Sequence, residues 1–474
     1  MTIDQIDVEA AINRVKALLA QEEGISPAMR SAMEVMVLLV GALVNRVTLN
    51  SKNSSKPPST DPNRKRSPKH GGRRPGGQKG HNGTTLEPVA DPDEIVQLAL
   101  DRAALPKGGY RVVGYESRQV IDVDISRFVT EYRAEIIEDR HGRRYTAAFP
   151  EKVARPVQYG DGIKAHAVYL SQYQLLPYNR IEEYFADRFG VPLSAGSIFN
   201  FNQDAGRRLG DFDRWVKAQL HCAPVLHADE TGINIGGKRH WLHCASDDLH
   251  TCFQAHPKRG QEAMEALGIL PGFEGILCHD HWKPYYRYDC THSLCNAHHL
   301  RELERALEQD GQRWAGRMQD LLVEINQAVD DAGGRLSPEA ADRYRQRYRI
   351  LLHAADKECP PPDESQRKKG HRGRLKRSKA RNLLERLRDF EDDVLRFMEV
   401  EAVPFTNNRG ENDIRMTKLQ QKISGCFRSM SGAETFCRVR SYLSTCRKHG
   451  VSATEALRLL FDGRLPAFMG ADNI

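Results

Sequence analysis

No cysteine precedes Cys222; all ten lie at or beyond it, and none forms a Cys-x-x-Cys pair. Disulfide frameworks belong mostly to small secreted domains, so these read as reduced thiols. No basic segment opens the chain. Met1 to Glu9 carries three acids and no base, the reverse of a secretory signal. No apolar run approaches the roughly 20 residues of a membrane-spanning helix, the longest being Val35 to Val44. Together these absences predict an intracellular, cytoplasmic protein without a membrane partner.

What is present fits a multidomain protein. The chain has 474 residues, 40% of them hydrophobic. At about 150 residues per domain that predicts three domains. The formal charge of +7 leans toward a polyanionic partner.

The excess charge is concentrated. Between Ser51 and Thr85, Lys52, Lys56, Arg64, Lys65, Arg66, Lys69, Arg73, Arg74 and Lys79 face one acid, Asp61, among Ser, Pro, Gly and Asn. Such a stretch buries too little apolar surface to fold alone. It is a solvated linker or an arm that neutralises phosphates by counterion release, and the density of Arg and Lys favours the arm. Before it, residues 1–50 read as helical, with Met33, Met36, Val37, Val40, Val44 and Val47 at three- and four-residue steps. That stripe either packs on its own domain or forms a self-association seam. After it, Val120–Ile125 and Phe128–Tyr132 alternate in polarity and predict a small β-rich module over 86–150. Residues 151–220 read as helical. Ile181, Tyr184, Phe185 and Phe189 share a face, Gly190 allows a turn, and Ile198 and Phe201 resume the face. This is an ordinary helical hairpin or a helix-turn-helix presenting Ser197 and Asn200 to a major groove.

From Pro224 the pattern turns to strands: Val225–Asp229, Lys238–Ala245, His250–Ala255, then a short helix over Gly260–Leu267, then Gly275–Asp280. Three strands in meander, a helix and a fourth strand is the order of an RNase H-like core. There the first and fourth strands are neighbours, so Asp229 and Asp280 would converge. Attack on a phosphodiester calls for charge neutralised on the attacking and leaving oxygens together. Two Mg²⁺ or Mn²⁺ ions roughly 3.5–4 Å apart do this, held by carboxylates. Glu411, in an Asn-capped helix beginning near Asn407, is the third candidate. The plainer reading of Glu411 is a surface pair with Arg415. Glu230 and Asp413 should face away from the site.

These motifs resemble those of the large transposase of the insertion sequence 66 family, a DDE transposase family. Asn53–Asp61 and Arg74–His81 are similar to its N-terminal signature, and Leu176 to Ser197 to the stretch before its catalytic domain. His227-Ala-Asp-Glu-Thr231 resembles its first-Asp motif and His279-Asp-His-Trp-Lys-Pro-Tyr285 the second, often Gly-rich in relatives. Asn407–Arg415 resembles the Glu motif, with Phe427-Arg-Ser429 behind it. The resemblance implies an α/β protein. Its RNase H-like core, a mixed sheet flanked by helices, occupies 221–305 and 400–435. A helical insertion spans 306–399 and a helical region 436–474. The insertion carries two apolar stripes, Trp314 to Val329 and Leu383 to Leu395, around the basic stretch Arg367–Arg381.

The implied function is DNA transposition. The protein would bind the terminal inverted repeats of its element, cleave strands and join the 3′-OH to target DNA, on bacterial chromosomal or plasmid DNA. Asp229, Asp280 and Glu411 would hold two ions per site. Arg64, Lys65, Arg66, Arg73, Arg74, Ser197, Asn200, Lys368, Lys369, Arg372, Arg374, Arg409 and Arg415 would contact double-stranded DNA. Partners would be a second copy in a synaptic complex and small accessory proteins of the same element. A nuclease without strand transfer and a non-catalytic DNA-binding descendant are the rival readings. Two features depart from relatives. The Cys-rich zinc module is missing, with Glu138 and His141 where cysteines are expected. Cys295-Asn-Ala-His298 is a Cys-x-x-His element that, with Cys290 and His292, imitates a zinc site of irregular spacing. It reads rather as the start of a helix buttressing the active site, with His298 near the metals or the scissile phosphate.

Overall fold

A computed structural model describes residues 2–3, 6–22, 24–47, 53, 86–101, 104–363, 365 and 375–470. The chain divides into two compact units, 65–154 and the remainder.

At the N-terminus, β1 (Thr2–Ile3) and β2 (Ile6–Asp7) pair ahead of α1 (Val8–Gln21) and α2 (Pro27–Val47). Ser26 and Pro27 start α2, the serine hydroxyl accepting the Met29 amide at 3.3 Å. Of the expected apolar stripe, Met33, Met36 and Val40 are exposed, Met36 at 61%.

The 65–154 unit holds one small hairpin among its described residues, β3 (Ile136–Glu138) against β4 (Arg144–Thr146). Asp139 closes it by accepting the amides of His141 and Arg143 at 2.8 and 2.9 Å. The strands expected over Val120–Ile125 and Phe128–Tyr132 do not form. Val120 and Phe128 stand 93% and 89% exposed. Alternating polarity stabilises a strand only where one face finds something to pack against, and these find nothing. Glu138 pairs with Arg144 at 2.8 Å.

The rest is a mixed α/β body. Four helices lead in: α3 (Asp161–Val168), α4 (Tyr178–Phe189), α5 (Ala195–Arg208) and α6 (Gly210–His221). The turn between α4 and α5 is as expected: Gly190 adopts φ 59° and Ser194 accepts the Ser197 amide at 3.1 Å. Ile181, Phe185, Ile198 and Phe201 are buried in one core with Leu226, Leu277 and Leu443. The hairpin is thus sewn to the sheet that follows.

That sheet comprises β5 (Val225–Ile235), β6 (Lys238–Ser246) and β7 (Thr251–His256), then, after α7 (Gln261–Leu267), β8 (Ile276–His279) and β9 (Thr291–Leu294). Its order is β7-β6-β5-β8-β9, with β5, β6 and β7 antiparallel and β8 and β9 parallel to β5. Both faces are covered, as the β5 alternation shows. Leu226 and Ala228 enter the core shared with the leading helices, while Val225 joins Cys278 and Leu294 in a second core. The second core belongs to α8 (Asn296–Asp310), α9 (Arg313–Asp331), α10 (Pro338–Glu358), α11 (Lys379–Asp389) and α12 (Glu391–Leu395). The two apolar stripes expected in the insertion, from Trp314 and from Leu383, are buried there.

The chain then returns to the sheet through α13 (Asn408–Ser424). Gly425, at φ 76°, ends that helix, and Phe427 bridges to Ile235, its amide donating to Asn234 at 3.0 Å. α14 (Met430–Lys448) packs along β7, and α15 (Ala453–Asp462) starts on Ser452, whose hydroxyl accepts the Glu455 amide at 3.2 Å. No helix among the described residues is long and apolar enough to cross a membrane.

Candidate active site

Parallel pairing of β5 with β8 runs Val225↔Ile276, Leu226↔Leu277, His227↔Cys278. Asp229 and Asp280 each lie two residues beyond the last pair, level with one another on neighbouring strands. Parity sends both side chains to the face that carries Val225 and Cys278. Each aspartate accepts the amide of the next residue or the one after: Glu230 N–H to Asp229 at 2.9 Å, Trp282 N–H to Asp280 at 3.0 Å. His281, directly after Asp280, is held at φ 69°, the left-handed region that a non-glycine residue enters at a cost. Strain of this kind collects where a fold must aim a side chain.

Helix α13 lies over the same face. A Cβ added to Gly410 would sit 3.5 Å from the Asp229 Cβ, so glycine allows the helix this close. Asn407 fixes the approach. Its side chain donates to the Ala228 carbonyl at 2.9 Å and meets His227 Nδ1 at 2.7 Å, while its amide donates to Cys295 Sγ at 3.1 Å. It occupies the N-cap position but makes no side-chain cap bond, so the expected capping asparagine joins β5 to the helix instead. Glu411, one turn on, faces His298 Nδ1 at 3.7 Å and Arg301 at 3.6 Å, not Arg415.

The electrostatics are those of a place short of positive charge. Burial first, then the negative charges of Glu230, Asp280 and Glu411, push the Asp229 carboxyl up to about 7. Glu411 Oε1 and His298 Nδ1 are buried with no hydrogen-bond partner among the described residues. Burial lowers the His298 pKa, with Arg301 adding to the effect, and so favours a neutral imidazole. Buried carboxylate oxygens without donors are what a hard cation would complete, and the residues present fit one.

Glu230 points to the opposite face, as strand parity requires, yet it is not inert. Its carboxylate, 2% exposed, is held by Arg259 at 2.5 Å and by the Tyr285 hydroxyl at 2.7 Å. Arg259 in turn lies over Trp282 and Trp241, at 4.2 and 4.9 Å from the ring centroids. Asp413 also faces away, paired with Lys448 at 3.0 Å.

A sequence model of the family described as Transposase IS66 family matches residues 156–435, more than half of the chain and the whole of this site. The chain belongs to the IS66 transposase family. A second model, of a family of unknown function, matches residues 3–87. No curated protein matches the chain.

The remaining expected residues of this transposase are scattered. Ser197 is half-buried in the first turn of α5, its hydroxyl 3.1 Å from that of Ser194, and Asn200 is exposed. Arg409 donates to the Asp247 carbonyl at 3.2 Å and pairs with Asp248. Arg415 is exposed on α13. Arg64, Lys65, Arg66, Arg73, Arg74, Lys368, Lys369, Arg372 and Arg374 lie outside the described residues. At the end of the basic stretch, Arg381 is buried and bonds Asp356 at 2.7 Å and Glu385 at 2.9 Å, so its task is structural. Sequence reasoning overlooked Arg301. Its place three residues after His298, on the same helical face, was the available signal.

Proposed function

We propose that Asp229, Asp280 and Glu411 form a DDE centre that cleaves DNA strands at the ends of an insertion sequence and joins the freed 3′-OH to target DNA. The observation that carries this reading is the convergence of the three carboxylates: two level on neighbouring parallel strands, the third brought by α13 to within charge reach of Asp229. A sheet with three antiparallel strands and two further strands parallel to the first supports an RNase H-like core.

The three carboxylates would hold two hard divalent ions, Mg²⁺ or Mn²⁺. When bound, these neutralise charge on the attacking and leaving oxygens of the phosphodiester. The remaining work belongs to the chain. The amides after Asp229 and Asp280 fix one oxygen of each, orienting the other. Asn407 sets the depth of α13, and hence of Glu411, against β5. His298 and Arg301 border Glu411 and close its side of the site. In cleavage, water attacks phosphorus, one P–O bond forms and another breaks, and the strand leaves with a 3′-OH. In transfer, that 3′-OH attacks a target phosphodiester in the same way. No covalent enzyme intermediate is needed, so positioning and charge neutralisation supply most of the acceleration. The partner is double-stranded DNA, held in a synaptic complex of more than one copy.

Asp229→Asn, Asp280→Asn and Glu411→Gln keep side-chain shape but remove the charge that binds hard cations. Each should abolish Mg²⁺-dependent cleavage and strand transfer on duplexes carrying the element ends, while binding to those ends persists. Mapping of cut and joined strands checks this. Cleavage without joined product would favour a plain nuclease, and normal cutting by all three variants would refute the assignment.

A further inference from the structure

A second constellation overlaps the carboxylate centre and differs from it in kind. Cys295 Sγ, a His298 ring nitrogen and a Glu411 carboxylate oxygen all lie within 4.8 Å of one another. One sulfur, one imidazole and one carboxylate is a donor set that Mg²⁺ does not choose and that borderline-soft ions of the zinc class do. Cys290 and His292, the partners considered from sequence, are not part of it; they sit 4.0 Å from each other.

Three features mark the cluster as more than proximity. Cys295 is the N-cap of α8, and its sulfur accepts the Asn407 amide at 3.1 Å, with the amides of Ala297 and His298 also directed at it. Burial pushes the Cys295 thiol up to about 11, and the amides aimed at the sulfur oppose that rise, so the ligating thiolate forms when an arriving ion displaces the proton. His298 Nδ1 and Glu411 Oε1 are both buried without a hydrogen-bond partner among the described residues. They stand 3.7 Å apart. Two such ligands on one tetrahedral zinc are about 3.3 Å apart, given metal–ligand distances near 2.0–2.1 Å. Small side-chain rotations therefore close the site. Arg301, 3.6 Å from Glu411, opposes a cation there. Its Nε is itself unpartnered, so it gives up little by turning outward.

We propose that Cys295, His298 and Glu411 bind one zinc-class divalent ion, leaving a fourth position open, and that this ion withdraws Glu411 from the hard-ion centre. Binding releases the Cys295 thiol proton to solvent. The site stands on its own geometry, whereas its inhibitory consequence rests on the proposed function. Zinc-class ions would then act as a brake on Mg²⁺-dependent strand cleavage.

Cobalt(II) is the probe, because a thiolate ligand gives it an intense near-ultraviolet charge-transfer band and tetrahedral ligation gives visible bands. Titrating the full chain should reveal one such cobalt per chain, displaced by Zn²⁺ and not by Mg²⁺. Cys295→Ser should remove the charge-transfer band, and Cys290→Ser should keep it. His298→Gln should weaken cobalt binding at least tenfold. That second variant carries the test if Cys295→Ser misfolds. Absence of the band, or its survival in Cys295→Ser, overturns the site. Bound zinc that leaves Mg²⁺-dependent cleavage untouched overturns the brake. Asp229→Asn separates the two readings: it should lose cleavage and retain the cobalt band.

Discussion

Asp229 carries a heavy electrostatic burden in the site. Its carboxyl moves from the usual 3.8 to about 7, because burial and three neighbouring carboxylates disfavour its charge. That displacement is worth about 4 kcal/mol at 1.36 kcal/mol per pH unit. The folded pKa is the higher one, so the contribution is fully present below pH 4 and is lost as pH rises through 7. Without divalent metal, the protein should melt several degrees lower at pH 8 than at pH 5, and Asp229→Asn should flatten much of that slope. Adding Mg²⁺ at pH 8 should raise the melting temperature of the natural chain and not of the variant. Thermal melts in chelator across that range check both, and coincident curves for the two proteins would contradict the burden assigned to Asp229. At this scale the placement of Asp229, Asp280 and Glu411 near one another was legible in the sequence, because strand parity and motif placement bear on it directly. Asn407 was legible as to place and not as to bonding, since its partners His227 and Ala228 are far away in the chain. Cys295 and His298 could be placed on a helix start, but their meeting with Glu411 depends on how α13 docks.

Among the elements, strands were read where turns punctuate them: Asn234 to Gly237 and Asp247-Asp248 separate β5, β6 and β7. β5 runs on to Ile235 because β6 pairs it from His227 to Ile235. β9 escaped notice, as four residues between Cys290 and Cys295 carry no usable period. α10 escaped for a different reason. Its buried face is Ala341, Tyr348, Leu352 and Ala355, a thin stripe among arginines, stabilised in part by pairs such as Arg345 with Glu391 and Glu399. Alternation misled over Val120–Ile125, where no core lies beneath. The junction of β5 and α13 depends on the side chain of Asn407, a residue 3% exposed. Asn407→Ala should leave the Ala228 carbonyl and His227 Nδ1 without the Asn407 side chain, costing roughly 2–6 kcal/mol at about 1–3 per group. It should also displace Glu411, and a shift of about 1 Å near a reacting centre is enough to cost on the order of 100-fold in rate. Asn408→Ala, one residue on and exposed, is the control. Loss of cleavage without loss of stability would mean that Asn407 acts on the substrate itself.

At the scale of the molecule, three hydrophobic cores among the described residues share one sheet, one on the side of the leading helices, one on that of the insertion and one beneath α13 and α14. The centre therefore sits where two independently packed layers meet, and it can be precise without being deeply enclosed: the Glu411 side chain is 34% exposed. On the proposed function a DNA substrate must reach that opening, and the basic residues best suited to hold it are remote in sequence. Nine bases between Lys52 and Lys79 face one acid. Their spacing on a Pro-, Gly- and Ser-rich stretch suits contact with phosphates rather than with base edges, which calls for side chains held rigidly in a groove. Deleting 52–79 should thus weaken binding to every duplex alike, specific or not. The slope of log affinity against log salt should become shallower by about 0.9 for each phosphate that the arm no longer neutralises. Binding isotherms at several salt concentrations, on end DNA and on unrelated DNA, measure both quantities. If only end DNA loses affinity and the slope is unchanged, the arm reads sequence, and the choice of DNA ends resides there rather than in the folded body.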